Sequence, residues 1–180
     1  MQTNILNTDA ICAIATPHGM GAIAVVRVSG SKAISIVSQL FTQNSKPFDL
    51  EKMVANKAYY GHIEDHGEML DEVLVTFFKA PHSFTGEDSA EISVHGSVFI
   101  QQKLLQVLIA HGCRMAEAGE FTRRAFVNRK FDLAQAEAIA DLISSESEAA
   151  HRIAINQLKG GFSKELQMMR SKLLEITGMS

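Results

Sequence analysis

The chain of 180 residues carries a net charge of −3, and 46% of its residues are apolar while 21% are charged. This length and composition suit one globular domain, or one domain with an appendage. No run of 18 apolar residues occurs, so the sequence predicts no membrane-spanning helix. The net charge excludes a polycation that binds nucleic acid with its whole surface, although a local basic patch could still do so.

The N-terminus and the cysteines indicate a cytoplasmic protein. No basic segment precedes an apolar core at the N-terminus, so no signal peptide is expected. The two cysteines, Cys12 and Cys113, lie far apart and form no C-x-x-C motif. This usage is typical of reduced thiols rather than of a disulfide framework or a zinc site.

Up to about residue 118, short β-branched runs predict strands around two helices. The predicted strands cover residues 10–16, 22–29, 58–64, 71–80, 89–95 and 113–119, and the predicted helices cover 29–41 and 97–112. Serines should cap the first helix, whose apolar face includes Phe41, and Gly112 should end the second. A hairpin turn is expected at 65–70. Because this order is no regular βαβ alternation, it predicts an α+β domain with a mixed or antiparallel sheet.

Beyond residue 118 the pattern becomes helical. Asp132 followed by Gln135 predicts a capping box. One helical stripe then holds Leu133, Ala136, Ala140 and Ile143, and the next helix carries an apolar seam of Ile155, Leu158, Phe162, Leu166, Met169, Leu173 and Ile176. Two helices alone cannot bury such a seam, so we expect the chain to be a fragment of a longer protein. A dimer closed through these helices is the alternative.

Two motif matches fail on their context. The stretch GMGAIA (19–24) fits G-x-G-x-x-A, but Pro17 precedes it and a strand follows, so a turn between strands is favoured over a dinucleotide site. No P-loop motif occurs. His62 and His66 are four positions apart on a predicted strand, roughly 13 Å, which is too far to share a metal ion. The sequence therefore predicts no metal site.

Three charged features leave alternatives open. Arg27 lies late in an otherwise apolar strand and needs a partner, so the pattern alone favours an internal salt bridge, or a strand end that reaches water, over a functional role. Glu91, in the stretch SFTGEDSAEISVHG (83–96), is either a ligand-binding carboxylate or a solvated one. The basic run RRAFVNRK (123–130) is more simply a solvated loop or helix end than a binding patch.

Three long blocks, at residues 10–30, 81–96 and 118–163, resemble the N-terminal part of the MnmE (TrmE) family of tRNA modification GTPases in order and spacing. The resemblance runs from about residue 9 to beyond residue 170. Departures are Met20, where many members carry arginine, Ser97, where glycine is usual, and Ala118, where proline is usual. None of these three is a site residue.

The resemblance implies a domain organisation. Residues 1–118 would form an α+β domain, similar to the tetrahydrofolate-binding domain of aminomethyltransferases, that pairs into a homodimer. Residues 119–180 would be the first helices of a helical domain, which in the family is interrupted by a GTPase domain and ends in a cysteine motif. Those two parts are expected outside this chain, and no catalytic residue is expected within it.

The resemblance also implies the ligand residues Arg27, Glu91 and Lys130, with a tetrahydrofolate derivative (5-formyl- or methylene-tetrahydrofolate) as the cofactor. Glu91 is suited to the adjacent N–H and amino groups of a pterin ring, while either Arg27 or Lys130 could neutralise the glutamate tail. Which cation meets which part stays open. Glu87 and Asp88 are expected to be structural.

In the family, the flavoprotein MnmG and its FAD act with this protein on tRNA. Together they place a carboxymethylaminomethyl or aminomethyl group on C5 of the wobble uridine. GTP, magnesium and potassium would bind the absent GTPase domain. The rival hypotheses are a dimerisation module that binds no folate, a stand-alone folate-dependent aminomethyltransferase, and direct tRNA binding by the basic run.

Overall fold

The computed structural model describes residues 8–128 and 132–160. The strands are β1 (Ile11–Ile14), β2 (Ile23–Ser29), β3 (Phe41–Gln43), β4 (Lys46–Pro47), β5 (Ala58–Asp65), β6 (Glu68–Phe78), β7 (Ser89–His95) and β8 (Arg114–Met115). The helices are α1 (Ala33–Leu40), α2 (Val98–Ala110), α3 (Glu120–Val127) and α4 (Leu133–Ser144), with a short 3-10 turn at Leu50–Lys52. Residues 148–160 are also helical.

The strands form one eight-stranded sheet in the order β4-β3-β5-β6-β7-β2-β1-β8. Every neighbouring pair is antiparallel except β1 and β8, which run parallel. The predicted α+β class with a mixed, mainly antiparallel sheet is confirmed. No helix in the described residues is both long and apolar enough to cross a membrane.

The chain divides into two compact units between Arg124 and Ala125. The first unit contains the whole sheet together with α1 and α2, and the second contains α4 and the helical residues 148–160. The boundary expected at residue 118 remains a prediction.

The core of the first unit lies between the sheet and the helices α1 and α2. Strand alternation places Val26, Ile92 and Val75 side by side on neighbouring strands, and all three are fully buried. They belong to one apolar cluster with Val37 of α1 and Leu104 of α2. Burial of such side chains stabilises the fold by about 1.5–3 kcal/mol each.

The opposite side of the sheet, which we call the outer face, carries the alternate residues of the same strands. Tyr60, Leu74, Ser93 and Val25 follow one another across β5, β6, β7 and β2. Tyr60 and Leu74 are 58% and 47% exposed, so apolar side chains here meet solvent in the isolated chain. This face also carries the candidate site.

Two expectations for α1 are wrong. No side chain caps the helix: its N-cap is Lys32, and the hydroxyl of Ser31 instead donates to the carbonyl of Thr8. Phe41 is not helical but begins β3, which pairs with β5. The reason is packing, because the buried ring of Phe41 lies 5.3 Å from that of Phe48, and the short strands β3 and β4 bring the two together.

The hairpin is confirmed, with a tighter turn than expected. Strand β5 ends at Asp65 and β6 begins at Glu68, so only His66 and Gly67 form the turn. Their φ values of 50° and 78° are those of a type I′ turn, whose twist matches the flanking strands.

The capping box of α4 is confirmed: Asp132 accepts from the backbone N–H of Gln135, whose side chain accepts from the backbone N–H of Asp132. The predicted stripe is not buried, since Leu133 is 64% and Ile143 81% exposed. Ala138 is the buried residue of this helix. Of the second seam, Ile155 and Leu158 are half-buried, and the remaining seam positions lie outside the described residues.

Candidate functional site

Arg27 and Glu91 form an ion pair across two central strands. They occupy opposite positions in the antiparallel register of β2 and β7, on the outer face. The Nε and one terminal nitrogen of Arg27 donate to Oε1 of Glu91, at 3.2 and 3.1 Å. The side chains are 21% and 33% exposed, so the pair is sheltered but open to a ligand. Two of the three predicted site residues are thus in direct contact.

Two aromatic rings lie against the guanidinium group of Arg27. Its central carbon is 4.4 Å from the ring centre of Phe84 and 5.5 Å from that of Phe121. Such contacts favour a cation over a ring face and hold the arginine in one orientation. Neither ring is predicted as a site residue by the sequence pattern, although each lies in a block that carries the family resemblance.

Glu91 keeps capacity to bind a further donor. A carboxylate offers about four lone-pair positions on its two oxygens, and Arg27 occupies positions on Oε1 alone. Oε2 has no hydrogen-bond partner among the described residues. The arrangement therefore leaves acceptor sites facing a half-exposed surface.

The loop before β7 is fixed by internal hydrogen bonds. Glu87 Oε2 accepts from the Ser29 hydroxyl at 2.8 Å, and the Ser29 hydroxyl also lies 2.6 Å from that of Thr85. Asp88 Oδ1 accepts from the backbone N–H of Ala80 at 2.8 Å. Glu87 and Asp88 are structural, as predicted, and they hold the loop that places Phe84 over Arg27.

Arg124 anchors this loop from the other side. Its guanidinium donates to Glu87 at 3.1 Å, to Asp9 at 2.8 Å and to Glu120 at 3.2 Å, with 7% of its side chain exposed. Arg114 donates to the same Asp9 and Glu120. The basic run was expected to be a solvated loop or helix end; Arg124 does lie in the last turn of α3, but the expectation that it is solvated is wrong, since its side chain is buried.

Two acids of this cluster, Glu120 and Asp9, are stabilised in their charged form. Hydrogen bonds from Arg114 hold the pKa of the Glu120 carboxyl at about 2 against burial, which acts in the opposite direction. The same arginine lowers the pKa of Asp9. A signal for this cluster exists in the sequence: Glu120 and Arg124 have the i, i+4 spacing of a helical ion pair.

Lys130, the third predicted site residue, lies outside the described residues, and so does Arg129 of the basic run. That Lys130 contributes to the same site as Arg27 and Glu91 stays a prediction.

A cleft of about 630 Å³ opens beside this site, at the end of the sheet where β1 and β8 lie. One wall comes from α2 and the other from the turn into α3; we call it the α2–α3 cleft. The residues that line it are Ala13, Ile14, His18, Gln102, Leu105, Gln106, Ile109, Met115, Ala116, Glu117, Ala118, Gly119 and Phe121. Arg27 and Glu91 do not line the cleft, but Phe121 both lines it and lies against the guanidinium group of Arg27.

Histidines elsewhere in the first unit pair with carboxylates. His95 Nδ1 lies 2.8 Å from Asp71 Oδ1, and this hydrogen bond raises the pKa of His95. His62 lies 3.8 Å from Glu72, and His66 lies 3.7 Å from Asp65. Within residues 8–128 and 132–160, no group of three or more potential ligands is placed to hold a metal ion.

Comparisons with known proteins match nearly the whole chain. The family model described as "GTP-binding protein TrmE N-terminus" matches residues 10–130, and the model "MnmE helical domain" matches residues 133–180. Proteins named tRNA modification GTPase MnmE are 54% identical in Flavobacterium johnsoniae, over 97% of this chain, and 50% identical in Porphyromonas gingivalis, over 96%. The chain spans 37% and 36% of the length of these relatives. The homologue in Bacteroides fragilis is 54% identical, with 97% and 37% coverage.

Proposed function

This chain belongs to the MnmE (TrmE) family, and from that membership we propose that it is the tetrahydrofolate-binding, homodimerising N-terminal part of a tRNA modification GTPase. The observation that carries the folate proposal is the half-exposed Arg27–Glu91 pair with aromatic rings beside it. The family supplies the identity of the ligand.

The residues of the pair fit a reduced folate chemically. A pterin ring presents an N–H beside an amino group, and the free acceptor positions of Glu91 suit these two donors. The glutamate tail is anionic, and Arg27 is a permanent cation close by. Lys130 is proposed as a second cation for the same ligand. Bound there, the folate would supply a one-carbon unit, while this chain's residues bind and orient it.

The larger activity is proposed for the whole protein, since the chain covers only about a third of its relatives. In that proposal the whole protein acts in the cytoplasm with the flavoprotein MnmG, which holds FAD. The two place a carboxymethylaminomethyl or aminomethyl group on C5 of the wobble uridine of tRNA. GTP, magnesium and potassium would bind the GTPase domain, because the 180 residues contain no P-loop motif.

Calorimetric titration of the 180-residue chain with 5-formyltetrahydrofolate tests the folate proposal. Glu91→Gln keeps the shape of the side chain but removes its charge, so we expect binding at least tenfold weaker than in the unchanged chain. Glu72→Gln changes an exposed carboxylate elsewhere on β6 and should bind as the unchanged chain does.

Unaltered affinity in Glu91→Gln would place the ligand elsewhere and end the proposed role of this pair. No binding by any of the three folded proteins would favour the rival, a dimerisation module without folate. Thermal denaturation of each protein separates loss of binding from loss of folding.

A further inference from the structure

We propose that Phe84 is a positioning residue of the candidate site. Its ring holds Arg27 in a position where the arginine bonds to one oxygen of Glu91 and leaves the other oxygen open to a ligand. The inference rests on the proposed function for the choice of 5-formyltetrahydrofolate as a probe. The geometry of the ion pair itself carries the role of Phe84.

The pair of Arg27 and Glu91 does not adopt the common geometry of an arginine–carboxylate pair. Such pairs frequently form two parallel bonds, one to each oxygen of the carboxylate. Here Nε and Nη2 of Arg27 both donate to Oε1, at 3.2 and 3.1 Å. Oε2 has no hydrogen-bond partner among the described residues. Because a pair that is free to adjust gains from using both oxygens, this geometry indicates a restraint on the arginine.

The ring of Phe84 supplies that restraint. Its centre lies 4.4 Å from the guanidinium carbon of Arg27, which is closer than the 5.5 Å of Phe121. A guanidinium group is attracted to the face of an aromatic ring and stacks on it. A shift of the guanidinium group towards Oε2 of Glu91 changes its position over the ring, so the contact opposes the shift.

The ring can act in this way because the loop before β7 is itself fixed. Asp88 accepts from the backbone N–H of Ala80, and the hydroxyl of Ser83 donates to the backbone carbonyl of Glu87. These bonds enclose Phe84 on both sides along the chain. The side chain of Phe84 is nevertheless 39% exposed, so it is not a member of the buried core. The loop therefore presents a half-exposed ring in a fixed place.

The open oxygen of Glu91 matters for affinity. An unoccupied Oε2 can accept from an N–H group of a ligand without first losing a bond to Arg27. If Arg27 bonded to both oxygens, the ligand would have to compete with a charge-assisted hydrogen bond inside the protein. Preorganisation of this kind strengthens binding by lowering its cost. Phe84 thus acts on the ligand through Arg27.

Crystal structures of Phe84→Leu and of the unchanged 180-residue chain, both without folate, test the inference. Leucine keeps an apolar side chain and removes the ring, so we expect the nitrogens of Arg27 to lie within hydrogen-bond distance of both oxygens of Glu91. Phe99→Leu removes a 73% exposed ring on α2 and should keep the one-oxygen geometry. One-oxygen bonding that persists in Phe84→Leu would overturn the inference.

Calorimetric titration with 5-formyltetrahydrofolate measures the effect on affinity. Phe84→Leu should bind at least about fivefold more weakly than the unchanged chain, while Phe84→Tyr keeps the ring face and should bind within about twofold of it. Thermal denaturation checks that each protein is folded, and Phe84→Met is the second variant without a ring. Full affinity in the folded variants that lack the ring would contradict the proposal.

A double-mutant cycle separates positioning from direct contact with the ligand. In a Glu91→Gln background, Phe84→Leu should cause no further loss of affinity, because the carboxylate oxygen that the ring keeps open is already gone. The same loss in both backgrounds would mean that the ring contacts the ligand directly, and the inference would be wrong. Absence of folate binding by the unchanged chain would end the proposed folate site, while the crystal structures would still decide the role of Phe84.

Discussion

Arg123 and Arg124 are adjacent in the sequence and lie in opposite environments. The side chain of Arg124 is 7% exposed and bonds to three carboxylates, while that of Arg123 is 57% exposed. Removing one partner of a buried charge cluster leaves the other charges unpaired, which costs about 3–5 kcal/mol. Surface ion pairs contribute about 0–1 kcal/mol.

We therefore expect Arg124→Met to lower the free energy of unfolding by about 3 kcal/mol or more, and Arg123→Met by less than about 1 kcal/mol. Urea denaturation of the two variants gives both values. Equal losses of unfolding free energy in the two variants would mean that the buried ion pairs of Arg124 stabilise the fold no more than the exposed ones of Arg123.

Protonation of Glu120 should lower the stability of the protein at acid pH. Its side chain is 1% exposed, and its pKa is about 2 in the fold against 4.5 for an ordinary glutamate. Because the folded pKa is the lower one, this stabilisation is complete above pH 4.5 and is lost as the pH falls towards 2. The shift corresponds to about 3 kcal/mol.

Unfolding free energies measured between pH 6 and pH 2 should fall through this window. In Glu120→Gln the curve should lie lower at pH 6 and slope less steeply. Asp9, whose pKa is also lowered, keeps part of the slope in the variant. If the slope of unfolding free energy against pH were unchanged in Glu120→Gln, protonation of Glu120 would not be the cause of the pH dependence.

At the scale of elements, Gly61 allows β5 to approach β3. A Cβ atom added at Gly61 would overlap the carbonyl of Thr42 and the ring of Phe41. Gly61→Ala should therefore lower stability by about 1–3 kcal/mol through overpacking. Gly21→Ala is the matched control, since its Cβ would meet only Ile23 O at an ordinary 3.7 Å.

The midpoint of urea unfolding, at an unchanged m-value, measures this difference. If Gly61→Ala were as stable as Gly21→Ala, β3 and β5 would have to separate freely at this point. Such freedom would contradict the buried position of Phe41.

The elements show what the sequence pattern could and could not predict. The hairpin and the α4 capping box follow from local chemistry, and both were predicted. The strands β3 and β4 were not, because tertiary packing of Phe41 and Phe48 overrides a pattern that reads as a continuing helix. Helix α3 was missed for a similar reason: its Arg124 reads as a solvent-facing charge until Asp9 and Glu87 are brought to it from distant sequence.

The same reasoning applies to the candidate site. Arg27 and Glu91 could be named from the family resemblance, and each could be placed on a strand. Their contact depends on the pairing register of β2 and β7, which are far apart in the chain, and periodicity does not carry that information. The α2–α3 cleft likewise requires α2 and the turn into α3 to meet at the end of the sheet.

At the scale of the whole molecule, the outer face of the sheet is the surface that suits the proposed homodimer. Ile23 is 66% exposed there, next to the exposed side chains of Leu74 and Tyr60. Exposed apolar patches of this kind are typical of protein interfaces. A charge placed in such a patch would be buried without a partner on association.

We expect Leu74→Glu to weaken self-association at least tenfold in sedimentation experiments. Leu50→Glu replaces a leucine of similar exposure in the short 3-10 turn and should leave the association unchanged. Identical behaviour of the two variants would remove this face from the proposed interface.

The strand order has a consequence for aggregation. The two outermost strands, β4 and β8, contain two residues each, and Pro47 in β4 has no N–H to offer. Short edge strands, and proline within an edge strand, both protect a sheet against pairing with a strand of another chain. Within the described residues, both outermost strands are thus too short to pair with a long added strand, and Pro47 weakens such pairing further at β4.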